Sequence, residues 1–100
     1  MAQAQLIGRL AYSKAGRDRG KPVIIIKVIN ERLVMVVDGR TRSIENPKLK
    51  NIKHLQVTKK VAEELVRKIV RGDPLDDIDI SRAVQVLVKE KERQEGGLGI

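Results

Sequence analysis

A chain of 100 residues with 21 Lys and Arg against 13 Asp and Glu carries a formal net charge of +8. The charge is lopsided: residues 8–60 hold 14 cations and 4 anions, a net of +10, whereas residues 61–100 hold 7 and 9, a net of −2. The absence of cysteine excludes a disulfide framework and a thiolate metal site, and the sequence reads as containing neither a secretory signal nor a membrane span.

The length fits one domain with an appendage. Residues 6–13 read as a first strand. Residues 23–29, Val-Ile-Ile-Ile-Lys-Val-Ile, read as a second, rich in β-branched side chains. Between them lies the most charged loop of the chain, residues 13–21, with Lys14, Arg17, Arg19 and Lys21 set around Gly16 and Gly20. Asn30-Glu31-Arg32 is a turn and residues 33–37 a third strand. Asp38-Gly39 is a hairpin signal of the two-residue type that needs positive φ at both central positions. Residues 40–45 then return as a fourth strand, Asn46-Pro47 breaks it, and residues 51–57 form a fifth. Five short antiparallel strands in about fifty residues predict a small closed or half-closed barrel.

The second and third strands are apolar at both parities, which calls for a sharp bend or a cover over the outer face. The following segment is a candidate cover. Thr58 is a predicted N-cap, and Val61, Leu65 and Ile69 fall at i, i+4 and i+8. Gly72 and Pro74 end that helix. A second helix is predicted from near Asp79 or Ser81 to about Gln94, followed by a glycine-rich flexible tail at 96–100. The domain division is thus a barrel at 1–57, a two-helix extension at 58–95 and the tail.

A basic half points to a polyanionic partner. Tyr12 is the only aromatic residue, so bases cannot be stacked on a row of rings, and the contact is expected to read backbone and shape. The predicted contact residues are Lys14, Arg17, Arg19 and Lys21, then Arg40 and Arg42, which as strand residues would share a face, and Lys48, Lys50 and Lys53. Gly16, Gly20 and Gly39 are assigned to turn geometry. His54, the only histidine, lacks companions for a metal site and reads as a strand residue. Asp73, Asp76, Asp77 and Asp79 lack the glycine and distal glutamate of a calcium loop and read as helix-capping residues. No catalytic constellation and no cofactor signature is present, so the chain is read as a non-enzyme.

The run from Gly8 to Lys21, followed by the apolar residues 23–29, resembles a KOW motif: a strand, a basic loop closing on a glycine (here Gly20) and a second apolar strand. With Leu33-Val34-Met35-Val36-Val37-Asp38-Gly39 and Asn51-Ile52-Lys53-His54-Leu55, residues 7–58 are similar to the fourteen-e group of large-subunit ribosomal proteins and their small bacterial KOW-domain relatives. The resemblance implies an SH3-like barrel that binds RNA, large-subunit ribosomal RNA above all, through the 14–21 loop and the basic stretch at Lys48 and Lys50, in the cytoplasm. The segment 40–47 departs from the longer, proline-containing basic segment frequent in that group. The alternative is a KOW-type protein-interaction module of transcription or translation, with ribosomal or transcription proteins recruited by the helical half. A chain ending at Thr58 is expected to keep RNA binding and lose such a partner. A membrane-surface role lacks the required basic amphipathic helix with bulky anchors.

Overall fold

The computed structural model describes residues 5–90. Five strands, β1 (Arg9–Ser13), β2 (Pro22–Val28), β3 (Leu33–Val37), β4 (Lys48–Asn51) and β5 (Leu55–Val61), are followed by two helices, α1 (Glu63–Arg71) and α2 (Asp77–Lys89). The strands form one antiparallel sheet in the order β4-β3-β2-β1-β5. The protein is mainly β with a helical C-terminal part, as the sequence predicts. The sheet does not close into a barrel, because β4 and β5 remain its two edges. A 3-10 turn, Ile52–His54, carries the chain from one edge to the other.

Each face of the sheet has its own core. Leu10, Ile24 and Val37 project to one side and are buried with Ala62 and Leu65 of the first helical turns and Ile80 and Leu87 of α2. Ala11, Val23, Ile25, Val34 and Val36 project to the other and pack with Leu55. That is the physical reason β2 and β3 are apolar at both parities: a two-sided sheet needs two apolar faces, and here the helices cover one of them.

Several boundaries differ from the predicted ones. No strand forms at residues 40–45; the chain loops from Asp38 to Pro47 and the fourth strand is Lys48–Asn51. The two-residue hairpin fails because Asp38 does not adopt positive φ. Its carboxylate instead accepts from the Arg40 and Arg42 amides (2.8 and 2.9 Å) and from the Thr41 hydroxyl (2.8 Å), winding a wider loop around itself. Thr58 is not an N-cap. It lies inside β5, where its hydroxyl donates to the Leu10 carbonyl (2.8 Å) and accepts from the Lys60 amide. The strand continues to Val61 because its pairing with β1 runs on to Arg9, and α1 starts at Glu63 with Ala62 at the N-cap.

Helix α2 starts at Asp77, two residues before the earlier of its predicted starts, because Asp76 and Asp79 form a reciprocal capping box. Its predicted end near Gln94 and the tail at 96–100 lie outside the described residues. Lys60 ties β5 to the far end of this helix, its ammonium donating to the carbonyls of Leu87 (2.9 Å) and Glu90. A lysine there satisfies carbonyls the helix leaves unpaired and sits at the negative end of its dipole.

Candidate nucleic-acid interface

The loop between β1 and β2 is closed by its own backbone. The Ser13 amide donates to the Lys21 carbonyl (3.2 Å), Gly20 to Ser13 (2.7 Å), Arg19 to Gly16 (3.2 Å) and Lys21 to Asp18 (2.9 Å). Two changes of direction in so short a span require left-handed backbone, supplied by Gly16 (φ 78°) and Gly20 (φ 82°). A Cβ at either position would meet open space, so conformation alone explains these glycines. The side chains of Lys14, Arg17, Arg19 and Lys21 are exposed around this frame. None of the four has an ion-pair partner among the described residues.

Three connections hold other cations against the loop. Asp18 lies 3.6 Å from the Arg42 guanidinium and 3.8 Å from the Lys48 ammonium, so one carboxylate joins the first basic loop to the 38–47 loop and to β4. The Lys50 ammonium donates to Ser13 Oγ (3.0 Å), spanning from edge strand β4 to the end of β1. The Lys14 amide donates to the His54 carbonyl (2.8 Å), which sets the 3-10 turn, and with it Lys53, beside the loop. These side-chain contacts add to the β3–β4 ladder, which already pairs Lys48 with Val36, in holding β4 at the loop end of the open sheet.

The 38–47 loop is fixed from below. The Ile44 amide donates to the Asp77 carboxylate (2.8 Å). Gly39 (φ 82°) presses its bare Cα onto α2, where a Cβ would come within 2.6 Å of the Asp77 carbonyl and 2.7 Å of the Ser81 nitrogen. Burial pushes the Asp38 carboxyl up, but the hydrogen bonds from the Arg42, Arg40 and Thr41 amides and the Thr41 hydroxyl outweigh it and hold the group below the usual carboxylate range.

Of the residues expected to contact a polyanion, Lys14, Arg17, Arg19, Lys21, Arg42, Lys48, Lys50 and Lys53 therefore belong to one connected end of the molecule. Arg40 does not project from a shared strand face with Arg42, since neither lies in a strand. It turns toward α2 and lines a groove together with Lys21. His54 is exposed and ends the 3-10 turn instead of lying in a strand, because β5 begins only at Leu55, and no cluster of three or more metal-ligating side chains occurs among the described residues. Asp76 and Asp79 cap α2 as expected. Asp79 also meets Lys68 of α1 at 3.1 Å, and that hydrogen bond lowers its pKa. Sequence reasoning gave Asp18 and Ser13 no part in the site and read Asp77 only as a helix-capping residue, without its bond to Ile44. A lone acid among four cations was the available signal for Asp18; nothing in the local sequence marks Ser13.

Fold and site together define a small β protein, backed by two helices, in which eight cations from two loops, β4 and the 3-10 turn are brought together at one end of an open sheet. The resemblance to the fourteen-e group is supported by similarity to curated proteins: the chain is 35% identical over 54 residues to large ribosomal subunit protein eL14 of Desulfurococcus amylolyticus, covering 54% of this chain and 56% of that protein. It is 28% identical over 78 residues to large ribosomal subunit protein eL14 of Staphylothermus marinus, covering 78% of this chain and 74% of the relative. The matched segment thus spans just over half the length of the first relative. No family model matches the chain.

Proposed function

We propose that this protein is a ribosome-associated, non-catalytic RNA-binding protein of the cytoplasm that grips structured RNA, large-subunit ribosomal RNA in particular, through its basic loops. The observation that carries the reading is the Asp18 junction, which places Arg42 and Lys48 beside the 14–21 loop. A preset array of cations meets the regular spacing of phosphates without a large ordering cost on binding. The names of the two relatives favour ribosomal RNA over other polyanions. Phosphate contacts fall to Lys14, Arg17, Arg19 and Lys21, with Arg40, Arg42, Lys48, Lys50 and Lys53 extending the footprint.

Titration of the protein against ribosomal RNA fragments tests this reading. Reversing Arg17 and Arg19 together to Glu weakens binding by about two orders of magnitude while leaving thermal unfolding unchanged. If about five to seven phosphates are engaged, affinity falls with salt on a log–log slope of roughly −3 to −6. A flat salt response, or full affinity in the double variant, removes the loops from the site. Crosslinking in cells followed by sequencing of the attached RNA identifies the target.

A further inference from the structure

Electrostatic gripping leaves open how such a protein distinguishes one RNA site from another. Its only aromatic ring, Tyr12, is half-buried against the core shared with the helices, so the usual stacking surface for an unpaired base is missing. Beside the basic loops, however, lies a groove of about 470 Å³ between the β1–β2 loop, the 38–47 loop and α2. Pro22, Val84 and Val88 give it an apolar lining, and Lys21, Arg40 and Lys89 supply cations. Pro22 and Val84 are half-buried and form its deeper part, whereas the three cations are exposed at its margin. The one lining carboxylate, Asp38, is committed to the amides and hydroxyl of its own loop.

We propose that this groove receives a single unpaired nucleotide of the bound RNA, with the base against Pro22, Val84 and Val88 and its phosphates on Lys21 and Arg40. The inference rests on the RNA-binding reading and gives it a source of selectivity. Charge complementarity chooses the occupant: three cations against one carboxylate call for an anionic ligand, and the apolar lining calls for one that also has a flat uncharged body. Ser81 and Gln85, also in the lining, offer a hydroxyl and an amide to a base edge. Bulged bases splayed from a helix are the part of structured RNA that a protein reaches most readily. Continuity supports the placement, because Lys21 belongs to the 14–21 loop and Arg40 to the loop that Arg42 joins to it through Asp18.

The test compares two RNA hairpins of equal length, one fully paired and one with a single bulged adenosine, by fluorescence anisotropy with the full chain. Burying part of a base gives about fivefold tighter binding of the bulged hairpin. Val88→Glu and Val88→Lys, both at an exposed position, each abolish that preference. The Lys variant separates shape from charge, since a merely electrostatic groove would keep or strengthen it. Arg17→Glu with Arg19→Glu weakens both hairpins alike. Equal wild-type affinity for the two hairpins, or a preference that survives Val88→Lys, overturns the groove while the loop reading stands. Loss of all RNA affinity at low salt overturns both. NMR shifts at the Val84 and Val88 methyls produced by an acidic apolar peptide, and not by the bulged hairpin, assign the groove to a protein partner and overturn the proposal.

Discussion

The carboxylate of Asp18 stands 3.6 Å from the guanidinium of Arg42, joining two loops that no backbone hydrogen bond connects directly. Both partners are partly exposed, at 22% and 35% of their side-chain surface, so the pair is worth little as a stabilising contact and matters as a spacer.

Replacing Asp18 with Asn is therefore expected to lower stability by less than about 1 kcal/mol in chemical denaturation. It also removes the carboxylate that sets Arg42 and Lys48 beside the 14–21 loop. The log–log salt dependence of RNA binding should flatten by about 1 to 2 as the two cations lose their places. An unchanged slope would show that Asp18 does not position the two cations for RNA.

Gly39 and Gly20 share a left-handed backbone but not a neighbourhood. Alanine at Gly20 meets only the conformational penalty, about 1–2 kcal/mol. Alanine at Gly39 meets that penalty and the backbone of α2 as well. Denaturant midpoints should rank wild type above G20A and G20A above G39A. Amide exchange at Ile44 should quicken only in G39A, as its bond to Asp77 loosens.

Ending the chain after Val61 would uncover Leu10, Ile24 and Val37, all fully buried in the intact protein. Exposure of three such side chains costs roughly 5–8 kcal/mol, comparable to the whole stability of a small domain. The shortened chain is expected to lose its cooperative thermal transition, and with it the RNA binding that sequence reasoning alone would let it keep. A sharp unfolding transition in that fragment would contradict the packing argument.

The Asp38 carboxyl is held below its ordinary range in the folded state. A group of this kind adds stability above its unfolded pKa, and that share fades as pH falls through the folded value. Asp38→Asn should consequently be less stable than wild type at neutral pH. The gap should narrow in acid, below the ordinary aspartate range. Parallel denaturation curves at both pH values read the difference; a gap that persists in acid would assign the effect to geometry alone.

What was legible in the sequence were the features written in local pattern. Runs of β-branched residues marked β2 and β3, the two-parity apolar pattern offered a covered outer face as one of its two explanations, and Leu65 and Ile69 marked the first helix, although Val61 of the same predicted stripe ends β5. The departures occurred where a distant group overrode local preference. Asp38-Gly39 looks like a tight hairpin, yet the bonds of the Asp38 side chain to Arg40, Thr41 and Arg42 and the seat of Gly39 on α2 favour a broad loop. Thr58 looks like a cap, but pairing with β1 keeps it in a strand. For the site, the cations themselves were visible as composition; their gathering was not, because it depends on Asp18 and Ser13 meeting residues far along the chain.

The two cores on opposite sides of one sheet have a further consequence. Many β proteins offer a bare strand surface as a table on which a ligand lies flat. Here the helices cover one side, and the strand side chains of the other turn inward around Leu55, so neither side is an open table. On the RNA-binding reading proposed above, a long polymer is expected to be met at the loop end of the sheet.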